Sequence, residues 1–230
     1  MCNNINQQNE LQQLFSQNIS LKVNDIFGND FKIIFILESP EKDEVIASLP
    51  AVGSTGLEMA KKLLNIGGKG LGELIDNNIG NAKYFSIINV CNYPLQCREI
   101  TEYIRISIAN SKKPNVRLNN LLKSKNNNKY NRDTDKEKCF GLIKNIFDDF
   151  TFRISSQINN DLLFIPCGKF ANSFFEKVLL STDLNLSDDK KNEIYPEWAR
   201  NIPHPSYNGW SKRKYRNQIN TMITSINLVI

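Results

Sequence analysis

The chain has 230 residues, of which 40% are hydrophobic and 23% charged, with a formal net charge of +5. That is the profile of one globular domain with a sizeable core, and its mild positive excess is compatible with a nucleic-acid partner without being evidence for one. No apolar run is long enough to span a membrane, and the Asn/Gln-rich start, residues 1–17, is not a secretory signal. The five cysteines (Cys2, Cys91, Cys97, Cys139, Cys167) are odd in number and lack a Cys-x-x-Cys pair. They read as reduced thiols in a cytoplasmic protein, not as a disulfide framework or a zinc site.

Residues 1–20 hold a short helical pattern, with Leu11, Leu14 and Phe15 on one face. Phe31 to Leu37 is the strongest strand, a nearly continuous apolar run of the kind covered on both faces. It ends in Glu38-Ser39-Pro40-Glu41, a charged loop at the carboxyl end of a buried strand, where α/β proteins place their sites. Pro50 to Gly56 then leads into a helix over 57–64, with Ser54 or Thr55 as its N-cap. The amides there suit a phosphate, although capping explains them equally well. Gly67 to Gly72 has the wrong spacing for a P-loop and reads as a turn.

Tyr84 to Val90 is a second strand, with Asn89 at its end. Two readings of Asn89 weigh evenly: a strand-end amide bonded to backbone, or an amide placed to read a ligand by paired donor and acceptor. Residues 111–138 are rich in lysine and asparagine and read as a basic insertion, either solvated or, through Tyr130, touching nucleic acid. A helix follows over Lys136 to Phe150, a strand over Leu162 to Pro166, a helix over Gly168 to Leu180, a fourth strand near Trp198 to Pro203, and a closing helix over Ser211 to Ile230. The alternation predicts an α/β fold: a three-layer α/β/α sandwich around a mainly parallel four-stranded sheet, as a single domain over 1–230.

His204, the only histidine, lies between Pro203 and Pro205, which stiffen its loop. Lys212, Arg213, Lys214 and Arg216 follow closely. A lone histidine is most often a surface or capping residue. Here the proline brackets and the adjacent charge favour a hydrogen-bond donor working on a polyanion. With parallel strands, the loops carrying Glu38, Ser39, Asn89 and His204 converge on one sheet edge.

Four segments in this order resemble motifs of the uracil-DNA glycosylase superfamily. Leu37-Glu38-Ser39-Pro40-Glu41 is similar to its water-positioning loop of the Gly-Glu-Ala-Pro-Gly type. Pro50-Ala51-Val52-Gly53-Ser54-Thr55-Gly56 is similar to Pro-Phe-Val-Gly-x-x-Gly. Ile88-Asn89-Val90 resembles the strand with the base-reading Asn, and His204-Pro205-Ser206 matches the His-Pro-Ser loop. Together they span roughly residues 33 to 210.

The resemblance implies a DNA glycosylase that flips a pyrimidine out of duplex DNA and hydrolyses its N-glycosidic bond. His204, Glu38 and Ser39 fall at the catalytic positions, and Asn89 and Ala51 at the base-binding ones. Ser206, Tyr207, Asn208 and the run Lys212, Arg213, Lys214 and Arg216 fall on the DNA side, with Tyr207 or Asn208 where the family inserts a side chain into the stack.

Three departures are visible. Ser39 stands where several families have Asp or Asn, leaving Glu38 or backbone groups to hold the water. Ala51 replaces the Phe that stacks on uracil, forfeiting about 1–3 kcal/mol of stacking and enlarging the pocket. The cysteine pairs that hold an iron–sulfur cluster in related families are absent, with Tyr93 at one matching position, so no cofactor is expected. One branch of the superfamily excises glucosylated hydroxymethylcytosine from phage DNA as antiviral defence, and the enlarged pocket ranks such a bulky base ahead of uracil. The alternatives are uracil repair, a non-catalytic DNA-binding module, and a hydrolase of free nucleosides. DNA is the expected partner, with no membrane and no obligatory protein partner.

Overall fold

The computed structural model describes residues 22–94, 133–158, 161–181, 184 and 186–230, with side chains of the long helix from residue 144 onward. The short helix expected within 1–20 and the basic stretch 111–132, with Tyr130, lie outside the described residues.

The fold is mixed α/β, with a four-stranded sheet in the order β1-β3-β2-β4. β2 (Ile33–Leu37) is central. It runs parallel to β3 (Phe85–Asn89), with Ile33 opposite Phe85 and Leu37 opposite Asn89. It also runs parallel to β4 (Leu163–Pro166), with Ile33 opposite Leu163 and Ile36 opposite Pro166. Every residue of these three strands is buried, as their unbroken apolar runs require. Their carboxyl ends share one edge.

The fourth strand is not where the sequence pattern put it. Between Trp198 and Pro203 the chain forms a 3-10 turn, Glu197–Ala199, and a single parallel bridge from Ile202 to Cys167. Pro203 lacks an N–H and cannot extend a ladder. The fourth position is taken by β1 (Ile26–Phe27), antiparallel to β3, with Ile26 opposite Ile87. A two-residue strand carries no alternation for a pattern to detect.

Seven α-helices surround the sheet among the described residues: α1 (Lys42–Ala47), α2 (Ser54–Leu64), α3 (Leu71–Asp76), α4 (Asp133–Ile158), α5 (Lys169–Leu179), α6 (Asp188–Ile194) and α7 (Arg216–Asn227). The glycine run expected as a turn instead launches α3, with Gly70 as its N-cap. Gly72 is in its first turn because the Pro50–Ala51 backbone presses directly against it. Its N–H donates to Ala51 O at 3.0 Å, and a Cβ there would meet Pro50 O at 1.8 Å. α4 starts earlier and ends later than the expected Lys136–Phe150, so residues 133–138, expected to belong to the basic insertion, are helical. α1 and α6 were not foreseen. The closing helix begins at Arg216, after 3-10 turns at Gly209–Ser211 and Arg213–Tyr215.

Phe35, Phe85, Phe164, Phe175 and Trp210 are fully buried in the core, and each such side chain is worth about 1.5–3 kcal/mol by burial alone. No helix among the described residues is long and apolar enough to cross a membrane.

Candidate functional site

The register of β2 on β3 fixes the first part of the site. Val90 N–H donates to Leu37 O at 2.9 Å and Cys91 N–H to Glu38 O at 3.1 Å, so the two strands end side by side. The Glu38 loop and Asn89 therefore leave the sheet together. Ser39 is buried and Glu38 half-buried.

The His204 loop reaches the same edge through β4. Gly168 N–H donates to Ile202 O at 2.7 Å, two residues before His204. Asn172, buried on α5, reinforces this junction. Its Nδ2 donates to Pro166 O (3.2 Å) and Gly168 O (2.8 Å), while its Oδ1 accepts from Tyr195 Oη (2.7 Å) and from the Asn201 amide (3.1 Å). Burial pushes the Tyr195 hydroxyl upward, which keeps it protonated as a donor.

Beyond His204 the loop turns sharply. Gly209 N–H donates to Pro205 O and Ser206 O, both at 3.0 Å, and a Cβ on Gly209 would stand 2.0 Å from His204 O. Trp210 then drives into the core against Phe35, with ring centroids 6.0 Å apart, and Ser211 Oγ donates to the buried Glu58 of α2 at 2.7 Å. The loop is thus pinned before and after the histidine.

His204 itself is half-buried. Its Nδ1 accepts from the Ser206 backbone N–H at 3.2 Å and lies 2.8 Å from the Ser206 hydroxyl. A backbone N–H only donates, so Nδ1 is the acceptor and a neutral ring carries its proton on Nε2. Ser206, expected on the DNA side, thus also sets the tautomer. Tyr207 and Asn208 form the loop tip, both exposed and both in the left-handed region, with φ of 53° and 54°. That conformation is uncommon for a tyrosine, which is 81% exposed here.

Asn89 contrasts with Asn172. It is 1% exposed, and neither Oδ1 nor Nδ2 has a hydrogen-bond partner among the described residues. It is the one side chain among them with both ends of a buried amide unpaired. Each buried unpaired polar group costs about 1–3 kcal/mol. The backbone-bonded reading of this side chain is therefore not what the described residues form.

Ala51 lies in the turn between α1 and α2, fully buried and with φ of 52°. Its amide donates to Glu44, whose other carboxylate oxygen accepts the Glu41 amide at 2.6 Å. Glu44, not singled out from the sequence, so joins the first two motifs. Burial raises its pKa to about 7, against the pull of the two amide donors. Glu44 is the N3 residue of α1 and caps the helix by accepting the Glu41 amide, but the N-cap Glu41 is not the Ser, Thr, Asp or Asn that would have marked this arrangement in the sequence.

Lys212, Arg213, Lys214 and Arg216 are exposed and form no ion pair with the described residues. Cys91 and Cys167 are free, buried thiols, and burial pushes the Cys91 thiol up to about 12. No cluster of three or more His, Cys, Asp or Glu suited to a metal ion occurs among the described residues. The expected site residues thus divide by position. Glu38, Ser39, Asn89 and His204 lie at one sheet edge, Ala51 is tied to the first loop through Glu44, and the basic run follows the His204 loop. Comparison of the chain with models of protein families and with curated proteins finds no match.

Proposed function

We propose that the protein is a DNA glycosylase built as a three-layer α/β/α domain of the uracil-DNA glycosylase type, working in the cytoplasm on pyrimidines flipped from duplex DNA. The observation that carries this reading is the buried amide of Asn89, without a hydrogen-bond partner among the described residues, at the same sheet edge that receives the only histidine. An amide offers one donor and one acceptor in a plane, which matches the N3 and 4-substituent edge of a pyrimidine.

In this reading the C1′–N1 bond breaks with its electron pair passing to the base. His204 Nε2–H donates to the base O2, where negative charge develops. Water, held by Glu38 or by backbone groups of the Glu38–Pro40 loop, adds to C1′ and gives up a proton to Glu38 or to solvent. The departing base anion takes up a proton in its place, so that the products are an abasic sugar hydroxyl and a neutral base. Tyr207, projecting from the loop tip, fills the gap left in the stack, and the basic run contacts phosphates.

Ala51, where related motifs carry an aromatic wall, supports a bulky 5-substituted cytosine of phage DNA over uracil, and with it a role in antiviral defence. The buried Ser39, which supplies no carboxylate, favours the second reading: a DNA-binding module without catalysis.

The test is a panel of plain, uracil-containing, hydroxymethylated and glucosylated duplexes, incubated with the protein and then with alkali to cut abasic sites. Cleavage of the glucosylated duplex ahead of the uracil duplex is the expected result. Cleavage of the uracil duplex alone returns the protein to uracil repair. Binding without any cleavage leaves the non-catalytic module.

A further inference from the structure

The backbone of Asn89 is held by a largely buried ion pair. Arg153, on α4, points one nitrogen of its guanidinium, Nη2, to the end of β3. Nη2 donates to Asn89 O at 2.8 Å and to Val90 O at 3.0 Å. Nη1 pairs with both oxygens of Asp25, at 3.0 and 2.8 Å, and Nε donates to Asp149 at 2.8 Å. Asp25 Oδ1 in turn faces the Asn89 amide N–H at 3.4 Å, a long contact. The backbone N–H and C=O of Asn89 are therefore both addressed by one Arg–Asp pair. The side chains of that pair are 15% and 9% exposed.

A pair so placed is a poor device for stability alone. Taking two charges out of water offsets most of their mutual attraction, and apolar replacements of similar volume are often as stable. Here burial pushes the Asp25 carboxyl upward while the Arg153 guanidinium opposes it. What the pair supplies that an apolar contact does not is direction. The planar guanidinium holds the Asn89 carbonyl with Nη2 and Asp25 with Nη1, and Asp25 faces the Asn89 backbone N–H, so the Cα of Asn89 lies between the two groups that the pair addresses.

Resting on the glycosylase reading, we propose that Arg153, oriented by Asp25, is a positioning pair for the Asn89 amide and so sets which base is excised. Arg153 does not touch the base. It acts by holding the backbone from which the reading side chain projects, and small displacements of such a group are expensive in rate.

The experiment measures single-turnover excision on the duplex panel for wild type, Arg153→Met, Arg153→Lys and Asp25→Asn, each alone and combined with Asn89→Ala, with thermal melting of every variant. Arg153→Lys keeps the charge but loses the fork, so it carries the test if Arg153→Met does not fold. The expected result is that the ratio of best to worst substrate falls about tenfold or more in the single variants. In the Asn89→Ala background the same changes alter that ratio by less than about twofold, because the group through which they act is gone. A ratio that stays at the wild-type value overturns the proposal while leaving the glycosylase reading intact. So does a loss that is equally large with and without Asn89. A wild type that cleaves no duplex overturns both.

Discussion

The indole N–H of Trp210 donates to the carbonyl of Pro203 at 2.8 Å, so the residue before His204 is hung from the centre of the core. Trp210 is 1% exposed and packs on Phe35 of the central strand. The histidine loop is thus registered against β2, the same strand that delivers Glu38. Trp210→Phe keeps an aromatic ring but removes this hydrogen bond and leaves a small void. The expected loss of stability is about 1–3 kcal/mol by urea unfolding. Excision should fall by more than the unfolded fraction explains, since the loop loses its anchor. A variant with full activity per folded molecule shows that the anchor does not set the position of His204.

His204→Ala is expected to lower single-turnover excision by about 100-fold or more, as loss of a donor to developing charge does. Duplex affinity should change little, because the proposed binding rests on phosphate contacts made by other residues. Undiminished cleavage removes His204 from the chemistry.

The two buried asparagines are expected to behave in opposite ways. Asn172→Ala abandons four satisfied hydrogen bonds and should cost at least about 2 kcal/mol in chemical denaturation. Asn89→Ala removes an amide with no partner among the described residues, so its melting temperature should match or exceed wild type. Discrimination between bases should nonetheless blur. A large destabilisation by Asn89→Ala would make that side chain a structural one.

Glu44 gives a pH dependence of definite sign. Its ordinary pKa of 4.5 is raised to about 7 in the folded chain, chiefly by burial. Between these values the native state binds more protons than the unfolded chain. Glu44's contribution is therefore full below the unfolded value and is lost as pH rises through about 7, with a slope of at most about 1.4 kcal/mol per pH unit. Glu44→Gln should melt lower at acid pH, because one of the two amides loses its acceptor. The same variant should show a flatter decline in melting temperature up to about pH 8. Parallel profiles for the two proteins would assign the slope to other groups.

Lys212, Arg213, Lys214 and Arg216 are exposed without ion-pair partners among the described residues, which leaves their charge available to phosphates. Neutralising two of them should reduce the slope of log affinity against log salt by about 2 at most. An unchanged slope shows that they are solvated surface only.

The long apolar runs were enough to locate β2, β3 and β4, because a strand buried on both faces writes its length directly into composition. Their polar ends, and hence the edge shared by Glu38, Asn89 and His204, followed from parallel order alone. Short elements were not legible. β1 has two residues, and the stretch before His204 reads as strand but makes only one bridge, since pairing depends on which edge is open and where a proline interrupts it. The supports of the site were invisible for a different reason. Arg153 is 128 positions from Asp25 and 64 from Asn89, and Glu58 is 153 from Ser211. No local periodicity encodes such pairs. Only the packed structure decides which charges are driven out of water together, and which buried amide, Asn172 or Asn89, finds its partners.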